Sequence, residues 1–267
     1  MDKIIAGSAM AVGNIKNDSL IGTFYKDLAQ PMVKALGTAL GSTIEFCTTP
    51  LLLMKFGSEA AKLNYKKHLD NYAKKMESIA EHDRIELNPQ IGVPILEKLC
   101  SITNEEISDL FTSLLAKASS RQTQNMAHPA FIQVIGSLSV DEAIIIKSLV
   151  KQPLIKYATM LAKTNAWGYI QEFDKLTLLA KEHSLIFTEN VSLYMVNLNS
   201  LGILSPPQIT NPEPSYIAEW DDLLDFHGFA KWQQDNQQLY GKGNIRIEYG
   251  FYRTTYFGKA FVDACVS

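Results

Sequence analysis

The chain has 267 residues, 46% hydrophobic and 20% charged, a balance that supports a folded core and excludes a disordered polymer. Its 25 Lys and Arg against 28 Asp and Glu leave a net charge of -3, which excludes a protein whose whole surface grips nucleic acid. Residues 1–138 carry 14 basic and 14 acidic side chains and residues 139–267 carry 11 and 14, so the acidic excess lies wholly in the second half.

Residues 1–30 read as a flexible cytosolic start. Their apolar stretch from Ile4 to Gly13 is rich in Gly and Ala and follows a single Lys, a poor fit to a signal peptide. Val33 to Gly57 is the most apolar segment, yet Glu45 and Pro50 interrupt it, which suits a bent helix better than a spanning one. Gly37 and Gly41 stand at a GxxxG spacing that lets two helix backbones approach closely, in a soluble bundle or in a membrane. Ser58 is placed to cap a helix reaching about Glu81. Its heptad stripe of Tyr65, Leu69, Tyr72, Met76 and Ile79 predicts a face packed on another helix. Lys62, Lys66, Lys67, Lys74 and Lys75 decorate the remainder, as a solvated face or as a surface for anionic lipid.

The breaker-rich NPQIGVP connection leads to helices at about Ile91–Leu99 and Asn104–Ser119, the second with acids in its first turns and Lys117 near its end. After a polar loop over 119–129, Pro129 opens a helix at Ala130–Gly136, and Ser139 caps the next one, to Val150. Two further helices are expected at about Ala166–Glu182 and Thr188–Ser200, with Gly202 ending the latter. A Pro-rich stretch from Ser205 to Pro214 precedes an aromatic, acidic helix over about Ile217–Gln238 and a turn at Gly241–Asn244. Ile245–Thr255 alternates as a strand with a bulge expected at Gly250, and Phe257–Val266 closes as a short helix. The expected fold class is mostly α: an N-terminal helical bundle over 31–138, then a C-terminal winged-helix-like α+β domain over 139–267. Residues 205–244 form its enlarged wing loop.

A winged helix that binds DNA presents the polar face of its third helix to the major groove. Here that helix offers Glu189, Asn190, Ser192, Asn197, Asn199 and Ser200 without a single Lys or Arg. Phosphate neutralisation dominates nucleic-acid affinity, so nucleic acid is not an expected partner. Lys242, Arg246, Arg253 and Lys259 are countered by Asp221, Asp222 and Asp225 in the same insertion. Protein contact through the wing is the better expectation, with Arg246, Tyr249, Tyr252 and Arg253 as candidates.

Signals of catalysis are thin. HExxH, Walker A, GxSxG and paired-Cys patterns are missing, so neither a metal nor a cofactor is expected. Three widely spaced cysteines, Cys47, Cys100 and Cys265, suit reduced thiols in the cytosol. Arg121 and His128, with six residues between them, resemble the Arg–His signature of HEPN ribonucleases. There the His is base to the ribose hydroxyl and the Arg steadies the phosphate. Their placement in an apparent loop, with His128 before Pro129, fits that chemistry poorly.

Several strings in order carry one family resemblance: ALGTALG with TTPLLLMKFG, NPQIGVPILEKL, EEISDLFTSLLAKA, HPAFIQVIGSLSVDEA, NLNSLGIL and YFGKAFVDACV. Together they resemble the abortive infection alpha (Abi-alpha) family over roughly residues 30–267. The chain departs mildly at Thr255-Tyr256-Phe257-Gly258, where the family often shows Thr-Pro-Phe-Gly. The resemblance implies a bacterial protein of anti-phage defence, in which infected cells arrest or die, and it carries over no catalytic residue. The expected function is a non-enzymatic sensor or adaptor that contacts a host or phage protein. Homo-oligomer formation and contact with a membrane surface stay open. The alternative is a membrane-active effector that inserts Val33–Gly57 and depolarises the cell, with HEPN-like cleavage a third course.

Overall fold

The computed structural model describes residues 59–164, 168–211, 214–236, 240 and 244–266. Val33–Gly57 with Gly37 and Gly41, the cap expected at Ser58, and most of the turn at Gly241–Asn244 lie outside the described residues. Two compact units meet in the chain between Ser137 and Leu138.

The first unit contains α1 (Glu59–Glu77), α2 (Pro89–Leu99), α3 (Glu105–Ala118) and α4 (Ala130–Gly136). Local chemistry sets their ends. Asn88 accepts the Gln90 N–H ahead of Pro89, and Asn104 accepts the N–H groups of Glu106 and Ile107 at the start of α3. Glu105 and Glu106 in its first turn and Lys117 in its last complement the helix dipole.

Helix α3 is the axis of this unit, with Leu110, Phe111, Leu114 and Leu115 wholly buried. The α1 stripe meets it through Tyr65, Leu69, Tyr72 and Met76, all buried, each contributing about 2 kcal/mol of burial energy. Ile79 follows the end of α1 and is only half-buried. Polar links fix the pairing: Tyr72 Oη lies 2.5 Å from Ser119 Oγ, His68 Nε2 lies 2.8 Å from the Ile102 carbonyl, and Asn71 donates to Thr112.

The second unit runs α5 (Val140–Ser148), β1 (Leu154–Thr164), β2 (Gly168–Leu176), α6 (Leu179–Glu182), α7 (Val191–Ser200), β3 (Gln208–Thr210), α8 (Pro214–Phe226), α9 (Phe229–Asp235), β4 (Ile245–Arg253) and α10 (Tyr256–Cys265). Its four strands form an antiparallel sheet in the order β2-β1-β4-β3. One face of that sheet is covered by the insertion between β3 and β4. Trp220, Leu223 and Leu224 of α8 pack on Ala158, joined by Ile247 and Tyr249, and Trp220 Nε1 donates to the Tyr157 carbonyl at 3.2 Å.

Three expectations are corrected here. The helix expected over Ala166–Glu182 is instead the second strand of a β1–β2 hairpin, followed by the short α6. Gly168, at φ 74°, begins β2, and Tyr169, Ile170 and Phe173 are strand formers that pair with β1. Lys175, at φ 48°, falls in the register shift between the Met160–Phe173 and Ala158–Leu176 pairs, and Thr177 Oγ1 then accepts the Leu179 N–H to start α6. The helix expected over Ile217–Gln238 breaks in two at Gly228, whose φ of 66° no L side chain adopts without strain. The bulge expected at Gly250 is not there. The β1–β4 register runs unbroken from Leu154 opposite Arg253 to Ala162 opposite Ile245, and the irregularity falls around Met160 where β1 meets β2. Gly250 is needed for space: a Cβ would strike the Tyr157 ring and the Gln208 carbonyl.

Candidate functional site

The string SVDEA builds the joint of the second unit. Ser139 Oγ accepts the Glu142 N–H while Glu142 Oε2 accepts the Ser139 N–H at 2.7 Å, a reciprocal cap on α5. The other Glu142 oxygen accepts from Asn197 Nδ2 of α7 at 2.8 Å. Asp141, only 1% exposed, accepts from Ile186 N at 2.7 Å, Phe187 N at 2.9 Å and Tyr194 Oη at 2.7 Å. Burial alone would raise the Asp141 pKa, but these three bonds outweigh it and hold the carboxyl below its ordinary value. Tyr194 is pushed up to about 12 by burial and by its bond to that carboxylate. Two adjacent acids thus clamp the 186–187 loop and α7 onto α5. Seen from the sequence, this string is helix punctuation; the structure adds that Asp141 fastens a loop 45 residues away.

The clamp fixes which side of α7 faces out. Val191, Tyr194, Met195 and Leu198 point inward, so Leu193 and Val196 stand on the opposite side, 63% and 59% exposed. Ile186 and Phe187, just ahead of the helix, are more than half exposed as well. This surface was missed by reading α7 as a polar helix. Asn197 turns inward to Glu142, and Asn199 Nδ2 donates to the Leu204 carbonyl, so two of the expected polar contacts are spent inside the unit. In the string VSLYMVNLNS six of the ten positions are apolar and fall on both sides of the helix, so periodicity has too little contrast to choose a face. The available signal was the pair of asparagines, whose amides need partners wherever the fold buries them.

The wing candidates separate by exposure. Arg246 is exposed and paired with Glu248 at 3.2 Å, and Arg253 is exposed over the Phe251 ring. Tyr249 is half-buried against Trp220, and Tyr252 is 1% exposed, packed on Tyr157. Tyr252, expected on the contact surface, belongs to the core. In β4 the alternation that flags a half-buried strand does not say which face the insertion covers.

In the first unit, Arg121 is exposed and its backbone N–H donates to the Asp83 carbonyl, while His128 is exposed beyond a 3-10 turn. His128 Nδ1 accepts the Ala130 N–H at 3.1 Å and the ring rests near Phe131, so the imidazole caps α4. In that tautomer the proton sits on Nε2, which then donates. Of the lysine set, Lys62 lies where only the backbone is described. Lys67 pairs with Glu105, Lys75 pairs with Asp109 at 2.9 Å, and Lys66 and Lys74 are exposed. Asp70 and Glu77 share the exposed surface, so it is mixed in sign. Among the described residues no helix is long and apolar enough to cross a membrane, and no group of three or more His, Cys, Asp or Glu is placed to hold a metal ion. A cleft of about 90 Å³ in the second unit, between Ser148, Lys156, Glu182 and Leu223, is far below the 300–1,000 Å³ usual for ligand pockets. Cys100 Sγ donates to the Leu96 carbonyl at 3.2 Å, and burial pushes the Cys265 thiol up.

These features define a mostly helical protein whose second unit adds an antiparallel sheet and a clamped, outward-facing apolar helix. The family model described as abortive infection alpha matches residues 64–265, and the chain belongs to that family. The match covers the helix and SVDEA strings but leaves the ALGTALG and TTPLLLMKFG segments outside it. No curated protein matches the chain. Among solved structures, an uncharacterized protein from the hydrocarbon-degrading marine bacterium Alcanivorax borkumensis SK2 aligns at 16% identity with a TM-score of 0.34, over 55% of this chain and 96% of that one. Likeness at that level carries no argument about function.

Proposed function

We propose that the chain serves abortive infection in the bacterial cytoplasm as a non-enzymatic sensor or adaptor, acting through protein contacts with a host or phage component. Membership of the abortive infection alpha family supports the process. The exposed apolar face of α7, held outward by Asp141 and Glu142, carries the contact reading. We further propose that Leu138–Val266 is a winged-helix derivative. In support, α5, β1, α6, α7, β3 and β4 follow one another as helix, strand, helix, helix, strand, strand, with β4 paired between β1 and β3. The strand β2 and the α8–α9 insertion are then additions to that plan. In such a domain α7 takes the place of the groove-reading helix, but it presents Leu193 and Val196 where a DNA reader needs cations.

The test is a plaque assay across a phage panel with cells expressing the wild type or the Leu193→Glu/Val196→Glu variant. Protection by the wild type and its loss in the variant, at equal protein level, is the expected result. Full protection by the variant would remove α7 from the mechanism, and no protection by the wild type against any phage would remove the defence role.

A further inference from the structure

Two exposed apolar side chains lie on one side of α7 and three more lie near its ends. Ile186 and Phe187 sit at the N-terminal end of α7, Leu193 and Val196 at its middle, and Tyr256, 92% exposed, beside its C-terminal end. Tyr256 is held there because Thr255 Oγ1 donates to the Gly202 carbonyl and Phe257 packs against Gly202. The helix is about 15 Å long, and the five are spread along it and just past both its ends. At more than half exposure each, they leave on the order of 500 Å² of apolar surface, within the range at which monomers carry a functional patch.

This patch has the symmetry a two-fold contact requires. In an isologous contact the same patch meets itself, so residue i faces j and j faces i. With the axis between Leu193 and Val196, two antiparallel copies of α7 set Leu193 of one against Val196 of the other. The same operation brings Ile186 and Phe187 at one end toward Tyr256 at the opposite end of the second copy. It also sets Glu189 against Ser200, so no like charges are brought together. A patch bearing lysines would repel its own copy; α7 carries none. A patch of this size is over half of the roughly 800 Å² that each partner buries in a stable complex, and the exposed Ser192 and Ser200 beside it supply more.

We infer that α7 is the self-association surface of this protein and that its first partner is a second copy of the chain. This rests on the contact reading above, with the partner now specified. The purified full-length chain, followed by light scattering after size exclusion at about 1–100 µM, is expected to form particles of two chains. Leu193→Glu/Val196→Glu is expected to give single chains with unchanged circular dichroism, since both side chains already face solvent. A mixture of Leu193→Cys chains with Val196→Cys chains is expected to yield a disulfide-linked pair beyond that of either variant alone. A wild-type monomer at every concentration overturns the inference, and so does a dimer that the double glutamate leaves intact. The plaque assay separates the two ideas. A monomeric wild type whose double-glutamate variant loses protection sinks self-association and leaves the contact with a foreign protein standing. A dimer abolished by the variant with protection retained does the reverse.

Discussion

Replacing Asp141 by Asn removes a charge while keeping nearly the same shape. The carboxylate is 1% exposed and accepts three hydrogen bonds: Ile186 N–H on Oδ1, and Phe187 N–H and Tyr194 O–H on Oδ2. An asparagine has one acceptor oxygen, so whichever way it turns, its NH2 faces a backbone N–H and at least one bond is lost. The survivors lose their charge assistance. At about 1.5–3 kcal/mol for a bond to a charged group, Asp141→Asn should lower the stability of the second unit by about 2–4 kcal/mol at pH 7. The folded carboxyl titrates below its unfolded value. Its stabilisation is therefore complete above the unfolded pKa of about 3.9 and is lost as pH falls through the folded value. The wild type and the variant should differ at pH 7 and converge in acid. All three tryptophans, Trp167, Trp220 and Trp232, fall in the second unit, so intrinsic fluorescence follows that unit alone during urea unfolding. With a urea dependence of about 1–3 kcal/mol/M, the midpoint at pH 7 should drop by about 1 M or more. Equal midpoints at pH 7, or a gap that persists undiminished at low pH, would refute the assigned role of the clamp.

Gly258→Ala should leave the second unit unfolded or destabilised by about 3 kcal/mol or more, since a Cβ there collides with the Ile203 backbone, which cannot yield as a side chain can; Gly136→Ala, whose nearest neighbour is the flexible Lys98 side chain at 3.5 Å, should be neutral or stabilising by thermal melts. Tyr72→Phe should cost about 1 kcal/mol in the first unit, measured by circular dichroism: Ser119 Oγ donates to Leu115, so the Tyr72 hydroxyl is the donor in their 2.5 Å contact and its removal leaves a buried oxygen one donor short. His128→Ala should lose about 1 kcal/mol through the α4 cap yet keep full protection in the plaque assay, whereas loss of protection with the fold intact would restore a ribonuclease role for His128.

Helix ends in the first unit were legible because single residues decide them. Asn104 acts through bonds to the residues two and three ahead and Pro129 through its fixed φ, as Ser139 does by its reciprocal cap at the start of the second unit, and the structure returns those helices almost to the residue. The α1 stripe was legible for a similar reason, since its contrast between buried aromatics and lysines is strong. Over Trp167, Ile170, Phe173, Leu176 and Leu179 the apolar spacing of three mimics a helix. What overrides it is distant: a partner strand at Leu154–Thr164, available only once the sheet assembles. Gly250 reads as a bulge and Gly228 as the interior of a helix in the sequence, whereas one is a clearance against Tyr157 and the other a left-handed residue between two helices. The apolar side of α7 was hidden by the same limit, because only the inward bonds of Asn197 and Asn199 reveal which way the helix is turned.

The register of β1 against β4 has a consequence for how the protein is made. Ala162 pairs with Ile245 and Leu154 with Arg253, across a span of 80 to 100 residues that holds α6 to α9. The helices of the first unit find their partners within about 40 residues of sequence, as the contacts between α1 and α3 show. During synthesis at about 5–20 residues per second, the strand β1 leaves the ribosome several seconds before β4 exists to pair with it. For that interval β1 has only β2 to pair with, and the insertion helix α8 arrives before the strand that closes its core. The second unit is therefore slow and late, and exposed to chaperones and to self-pairing while the first unit is already formed.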